Sequence, residues 1–259
     1  INVHESGAVE ACGHKVSAIP SPDGKLTARQ IEEAWHAHWD DETREHMPQP
    51  RMVYISQPTE LGTIYSRKEL QEISGVCRRR GLYLYMDGAR LGYGLCDEDN
   101  DLDLPALASL CDAFYIGGTK VGALFGEALV LRHEALKEDF RYIAKQKGGR
   151  LAKGRLLGIQ FLELFRDGLY FRLGAHADRL AVMLRDFCRS RGLALPFSSG
   201  TNQQFVTMPD SVLEELGRKY GFAYLRREDE THSTVRFCTS WATREDDVRE
   251  LMADIARLC

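Results

Sequence analysis

Two short stretches hold residues whose types and spacing could do chemistry. In "LYLYMDGARLGYG" (residues 82–94) an apolar run ends on Asp87, followed by Gly88 and Arg90. In "FYIGGTKVGALFGEALVL" (114–131) a second run ends in a loop holding Lys120 among Gly117, Gly118, Gly122 and Gly126. A free lysine amine, with a pKa of about 10.4, is protonated and a poor nucleophile at neutral pH. Desolvation or a neighbouring cation readies it for condensation with a carbonyl. A carboxylate and an arginine nearby would hold whatever bears that carbonyl.

The elements that must position these groups follow from the hydrophobic pattern. Lys15–Ile19, Met52–Ser56, Leu82–Met86, Ala113–Ile116 and Ala128–Leu131 read as strands. Between them "LTARQIEEAWHAHW", "SRKELQEISGVCRRR" and "DLPALASLC" read as helices, the second opened by a Ser66/Glu69 capping box. Arg78-Arg79-Arg80 suits a helix C-terminus before Gly81. Strand–helix–strand alternation predicts an α/β fold whose mostly parallel sheet has helices on both faces. The link from Ile116 to Ala128 is too short for a crossover helix, so the last strand returns antiparallel at an edge and the sheet is mixed.

From Leu156 to Arg189 the pattern is helical, with a break expected at Gly168 or Gly174. Short runs "QQFVTMP", "FAYLRR" and "TVRFCTSW", with helices near 210–220 and 243–258, predict a small C-terminal α+β domain. The expected division is a large domain over 1–165, then a linking helix and small domain over 166–259.

Composition narrows the function classes. The 259 residues carry a net charge of −4, so no basic field recruits nucleic acid or an anionic membrane. The most apolar stretch, Leu156–Leu169, is interrupted by Glu163, Arg166 and Asp167, which does not suit a membrane span. Seven cysteines without a CxxC point to reduced thiols and a cytoplasmic setting. His36 and His38 lie two apart on a helix and diverge, so no metal site is expected there.

If the strands ending at Asp87 and before Lys120 are parallel neighbours, both residues emerge at the carboxyl edge of the sheet, where open α/β sheets bind ligands. Pyridoxal phosphate uses such a set: its aldehyde condenses with a lysine, and its ring nitrogen takes an anionic partner. On spacing alone each residue also has an ordinary role. A strand-end Asp caps a helix or binds a metal, and a loop Lys is solvated.

"YMDGARLG", "FYIGGTKVGALFGEALV", "AKGRLLGIQFLELF" and "RFCTSWAT", with "NVHESGAVEACGHKV" and "VYISQPTELGTIYS", resemble the threonine aldolase and β-eliminating lyase family over essentially the whole chain. These are pyridoxal-phosphate enzymes of the aspartate-aminotransferase-like fold. The resemblance implies that Lys120 bonds the cofactor, Asp87 pairs with its ring nitrogen and Arg90 lies beside the ring. It implies that Arg236 grips the substrate α-carboxylate in a bidentate fork, and that Thr119 touches phosphate or ring.

The implied activity is retro-aldol cleavage of a β-hydroxy-α-amino acid, threonine or allo-threonine, to glycine and an aldehyde. β-Elimination or transamination is the alternative within the same chemistry. A pseudoenzyme or cofactor-binding module is the alternative outside it. The substrate is a small amino acid, and the expected assembly is a homodimer or homotetramer.

Two departures bear on the site. Val121 stands where family members often have Asn. In family members a glycine-rich phosphate turn and a ring-stacking histidine precede the segment matching Ile1–Glu5, so the resemblance implies that the N-terminal part of the fold is missing. His4 is expected in a surface or supporting role. "KQKGGRLAKGR" (145–155) reads as a solvated turn or as a phosphate contact reaching across a subunit boundary. Thr59 and Glu60 read as turn residues at the rim of the pocket.

Overall fold

The computed structural model describes residues 1–259. The first part of the chain runs α1 (Ala8–Ala11), α2 (Ala28–Trp39), β1 (Met52–Ser56), α3 (Arg67–Arg80), β2 (Tyr83–Asp87), α4 (Leu91–Gly94), α5 (Leu104–Leu110), β3 (Ala113–Ile116) and β4 (Ala128–Leu131). The remainder is α6 (Phe140–Gln146), α7 (Arg155–Phe165), α8 (Leu169–Ser190), β5 (Gln203–Pro209), α9 (Asp210–Gly217), β6 (Ala223–Arg227), β7 (His232–Cys238) and α10 (Glu245–Leu258).

Local chemistry sets the helix ends. Ser66 and Glu69 form the expected capping box on α3, and Thr27 and Gln30 form another on α2. Each such cap contributes about 1 kcal/mol. Gly81 ends α3 in the left-handed conformation at φ 65°, with Arg78, Arg79 and Arg80 in the last turn.

The first sheet has the order β1-β2-β3-β4. β1, β2 and β3 are parallel, and β4 returns antiparallel against β3 as the short link required. Val53, Ile55, Leu84, Met86, Phe114 and Ile116 point into one buried core with α2, α3 and α5. The alternate residues Tyr54, Tyr85, Asp87 and Tyr115 form the second face and are half-buried. Lys15–Ile19, expected as a strand, has no regular structure. Its residues are exposed or half-buried, and no strand lies alongside to take its backbone hydrogen bonds.

The second sheet is antiparallel in the order β5-β7-β6, packed with α9, α10 and the end of α8. Of the two glycines proposed as the break, Gly168 makes it with φ 70°, while Gly174 lies inside α8. A side chain on Gly174 would lie 2.6 Å from the Gly92 carbonyl oxygen, so glycine lets α8 press onto α4. α8 joins both cores: Tyr170 and Ala177 belong to the first, Leu180, Leu184 and Cys188 to the second.

Asp178 sits at that joint, 5% exposed, with no hydrogen-bond partner for either carboxylate oxygen. Burial, and then the negative charge of Asp97, pushes its pKa up to about 9 from an ordinary 3.8. The folded chain therefore binds a proton here that the unfolded chain releases. The associated stability is complete below the unfolded value and is lost as pH rises towards the folded one. We expect the wild-type melting temperature to decline from about pH 4 to about pH 9. Asp178→Asn, neutral throughout, should flatten that decline and melt higher at alkaline pH. Parallel melting curves across the range would refute this account of Asp178.

Candidate active site

Asp87 closes β2, and its neighbours on both sides are fixed by register. Ser56 of β1 stands opposite Asp87, and Tyr54 opposite Tyr85. On the other side Tyr85 stands opposite Ala113, which brings Tyr115 level with Asp87. Three donors reach the Asp87 carboxylate: the Tyr54 hydroxyl to Oδ2, the Tyr115 hydroxyl to Oδ1, and the Ala89 amide to Oδ1 at 2.9 Å. Burial first, and then the bond to Asp87, pushes both phenols well above their ordinary pKa, so they remain donors.

The glycine loop lies against the end of β2. The Gly117 amide donates to the Gly88 carbonyl at 2.8 Å. A Cβ on Gly117 would fall 2.2 Å from the Ala89 carbonyl oxygen, so only glycine permits this approach. The Tyr170 hydroxyl donates to the Gly117 carbonyl at 2.8 Å, and the Tyr93 hydroxyl donates to the Lys120 carbonyl. Glu127 accepts from the Gly118 amide at 2.5 Å and from the Thr119 hydroxyl at 3.0 Å. The backbone of Lys120 is thus pinned, while its side chain is exposed and makes no ion pair.

The second sheet contributes Arg236, on β7. Its Nη1 donates to Gln203 Oε1 at 3.0 Å, and Gln203 Nε2 donates to the Thr59 carbonyl at 3.3 Å. Arg236 Nε is buried and has no partner. Glu60 Oε2 lies 3.7 Å from Arg90 Nη1 and 3.8 Å from Arg236 Nη1. Two guanidinium groups, one following β2 of the first sheet and one on β7 of the second, therefore face one carboxylate oxygen. Turn chemistry was the expected role of Glu60; it also bridges the two arginines.

Asp87, Arg90 and the Lys120 loop gather at the carboxyl edge of the first sheet, and Arg236 reaches the same place through Glu60. Thr119 has its hydroxyl committed to Glu127. The residues suit pyridoxal phosphate: an unpaired lysine amine for its aldehyde, and at the adjoining strand end a carboxylate for its ring nitrogen. The unpartnered Arg236 Nε suits a carboxylate ligand. His36 is engaged elsewhere, its Nδ1 2.8 Å from Asp40 Oδ2. Lys145, Lys147 and Lys153 are exposed.

Sequence reasoning passed over Tyr54, Tyr115, Gln203 and Glu127. For the tyrosines a signal was present: both sit at strand positions that share a face with Asp87. Gln203 could have been marked as a polar residue opening an apolar strand.

The model of the β-eliminating lyase family matches residues 1–211. A low specificity L-threonine aldolase of a Pseudomonas species is 36% identical over 98% of this chain and 72% of its own length. The corresponding protein of Pseudomonas aeruginosa is 33% identical with the same coverage. Among solved structures, a threonine aldolase of Leishmania major superposes with a TM-score of 0.95 and 43% identity, over 99% of this chain and 74% of that one. A Thermus thermophilus aspartate aminotransferase, at 15% identity and a TM-score of 0.63 over 93% of this chain and 60% of that one, shares the fold. With the lysine loop and the strand-end aspartate side by side, and matches of this extent, the chain belongs to the β-eliminating lyase family of pyridoxal-phosphate-dependent enzymes.

Proposed function

We propose that the protein cleaves L-threonine or L-allo-threonine to glycine and acetaldehyde by retro-aldol chemistry. The observation that carries this reading is the placement of Asp87 at the end of β2 beside the Lys120 turn that follows β3, with Arg236 of β7 linked to Arg90 through Glu60, in a chain similar to threonine aldolases.

Lys120 would hold the cofactor through its exposed, unpaired amine. Bound pyridoxal phosphate supplies a carbonyl for the substrate amine and a ring that takes up the electron pair left at Cα. Asp87 keeps the proton on the ring nitrogen, in a charge-assisted bond of about 1.5–3 kcal/mol. Arg90, at the same sheet edge as Asp87, would flank the bound ring. Arg236 takes the substrate carboxylate, which replaces Glu60, a residue 70% exposed and free to swing away. With its amine and carboxylate both fixed, the substrate would be held in one orientation, which restricts which bond at Cα can break. The β-hydroxyl loses its proton, that bond breaks to release the aldehyde, and Cα gains a proton to give glycine.

The seven free cysteines support a reducing, cytoplasmic setting. We place the contact of a homodimer or homotetramer on the apolar segment around α7. That helix buries only Leu164, leaving Leu156 56% and Leu162 62% exposed.

Borohydride reduction of the cofactor-loaded protein, followed by peptide mapping, tests the reading. The label is expected on Lys120, and Lys120→Ala should abolish both label and aldehyde release while folding normally. A label on Lys145, Lys147 or Lys153 would overturn the assignment. Gln203→Leu should raise KM for threonine by roughly tenfold, because the charged Arg236 loses the amide oxygen that accepts from it, with kcat little changed. An unchanged KM would remove Arg236 and its support from substrate binding.

A further inference from the structure

The Asp87 carboxylate is held by more than its strand. Tyr54 lies on β1, one pleat back from the residue opposite Asp87, and Tyr115 lies level with it on β3. Both side chains share its face of the sheet, and their hydroxyls meet different oxygens. The Tyr54 ring stacks on Tyr85, with centroids 5.3 Å apart and planes at 24°, which limits where its hydroxyl can go.

We propose that Tyr54 and Tyr115 are positioning residues that clasp Asp87 from the two flanking strands and leave one acceptor site, on Oδ2, for the ring nitrogen of the cofactor. The inference rests on the reading of Asp87 as the ring-nitrogen partner. A carboxylate offers about four lone-pair sites, two on each oxygen. On Oδ1 both are used, by the Tyr115 hydroxyl and the Ala89 amide. On Oδ2 the Tyr54 hydroxyl uses one. The remaining site is therefore on Oδ2, and the clasp fixes its direction by preventing rotation of the carboxylate about its Cβ–Cγ bond. Neither phenol needs to touch the cofactor. They act through Asp87, as partners that orient a ligating group do elsewhere.

The test uses the cofactor-loaded protein and phenylalanine variants, which keep each ring and remove only the hydroxyl. Tyr54→Phe and Tyr115→Phe should each lower kcat by roughly tenfold, with KM for threonine within about twofold. Cofactor titration followed by visible absorbance should weaken by a similar factor. In an Asp87→Asn background the same changes should add little, since the clasped group is already altered. Tyr83→Phe, on the same face of β2 without a bond to Asp87, should stay within about twofold of wild type.

Each variant decides on its own, so one that fails to fold leaves the other informative. Wild-type kcat and cofactor affinity in the phenylalanine variants would overturn the clasp alone, provided the wild type is labelled at Lys120. So would losses that persist undiminished beside Asp87→Asn. A wild type that never bonds cofactor at Lys120 would overturn both the clasp and the underlying site.

Discussion

The Gly117 amide donates to the Gly88 carbonyl at 2.8 Å, and that contact joins the turn leaving β3 to the turn leaving β2. Neither turn has room to swell. A Cβ on Gly88 would sit 1.8 Å from the Tyr115 carbonyl oxygen, and one on Gly117 2.2 Å from that of Ala89. The spacing between Asp87 and the Lys120 loop is consequently set by backbone against backbone, the least compressible contact a protein has. Tyr170 then ties the linking helix to the same point through the Gly117 carbonyl. The strand ends, the lysine loop and the helix that leads to the second core all refer to one seam.

Charge does the corresponding work between the two sheets. Arg90 and Arg236 are half-buried cations facing one another's neighbourhood, an arrangement that repels unless an anion lies between them. Glu60 is that anion, but its contacts of 3.7 Å and 3.8 Å are loose and its side chain is mostly exposed. A substrate carboxylate with two oxygens can engage Arg236 more closely than this single distant oxygen does. Gln203 matters here because it holds Arg236 from one side and the Thr59 carbonyl from the other, linking the arginine to the turn that carries Glu60.

How much of this was legible in the sequence depends on the range of the interaction. The antiparallel return of β4 could be read because it follows from chain length alone: too few residues separate Ile116 from Ala128 for a crossover. The α3 cap could be read because its partners are three residues apart. Lys15–Ile19 misled because its pattern states only that a strand could form there, and pairing needs a neighbour that is not local. Gly168 and Gly174 look alike in sequence and differ in what surrounds them, one bending the chain and the other admitting a carbonyl. Asp178 left a fainter trace. It stands four residues after Gly174 and eight after Tyr170, on the apolar stripe of α8, where a charge is out of place.

The tyrosines show why a strand-end carboxylate alone does not make a site. The Gly88–Gly117 seam fixes where Asp87 stands, but a carboxylate on a fixed backbone can still turn about its side-chain bonds. Rotation changes which lone pair would face a bound donor, and a hydrogen bond weakens steeply as its angle departs from linear. Tyr54 and Tyr115 come from different strands, so no single backbone shift moves both together. Position is supplied by glycines, which remove atoms, and orientation by tyrosines, which add them. Each constraint fails without the other. A correctly turned carboxylate at the wrong distance binds nothing, and a correctly placed one free to turn spends much of its time facing away.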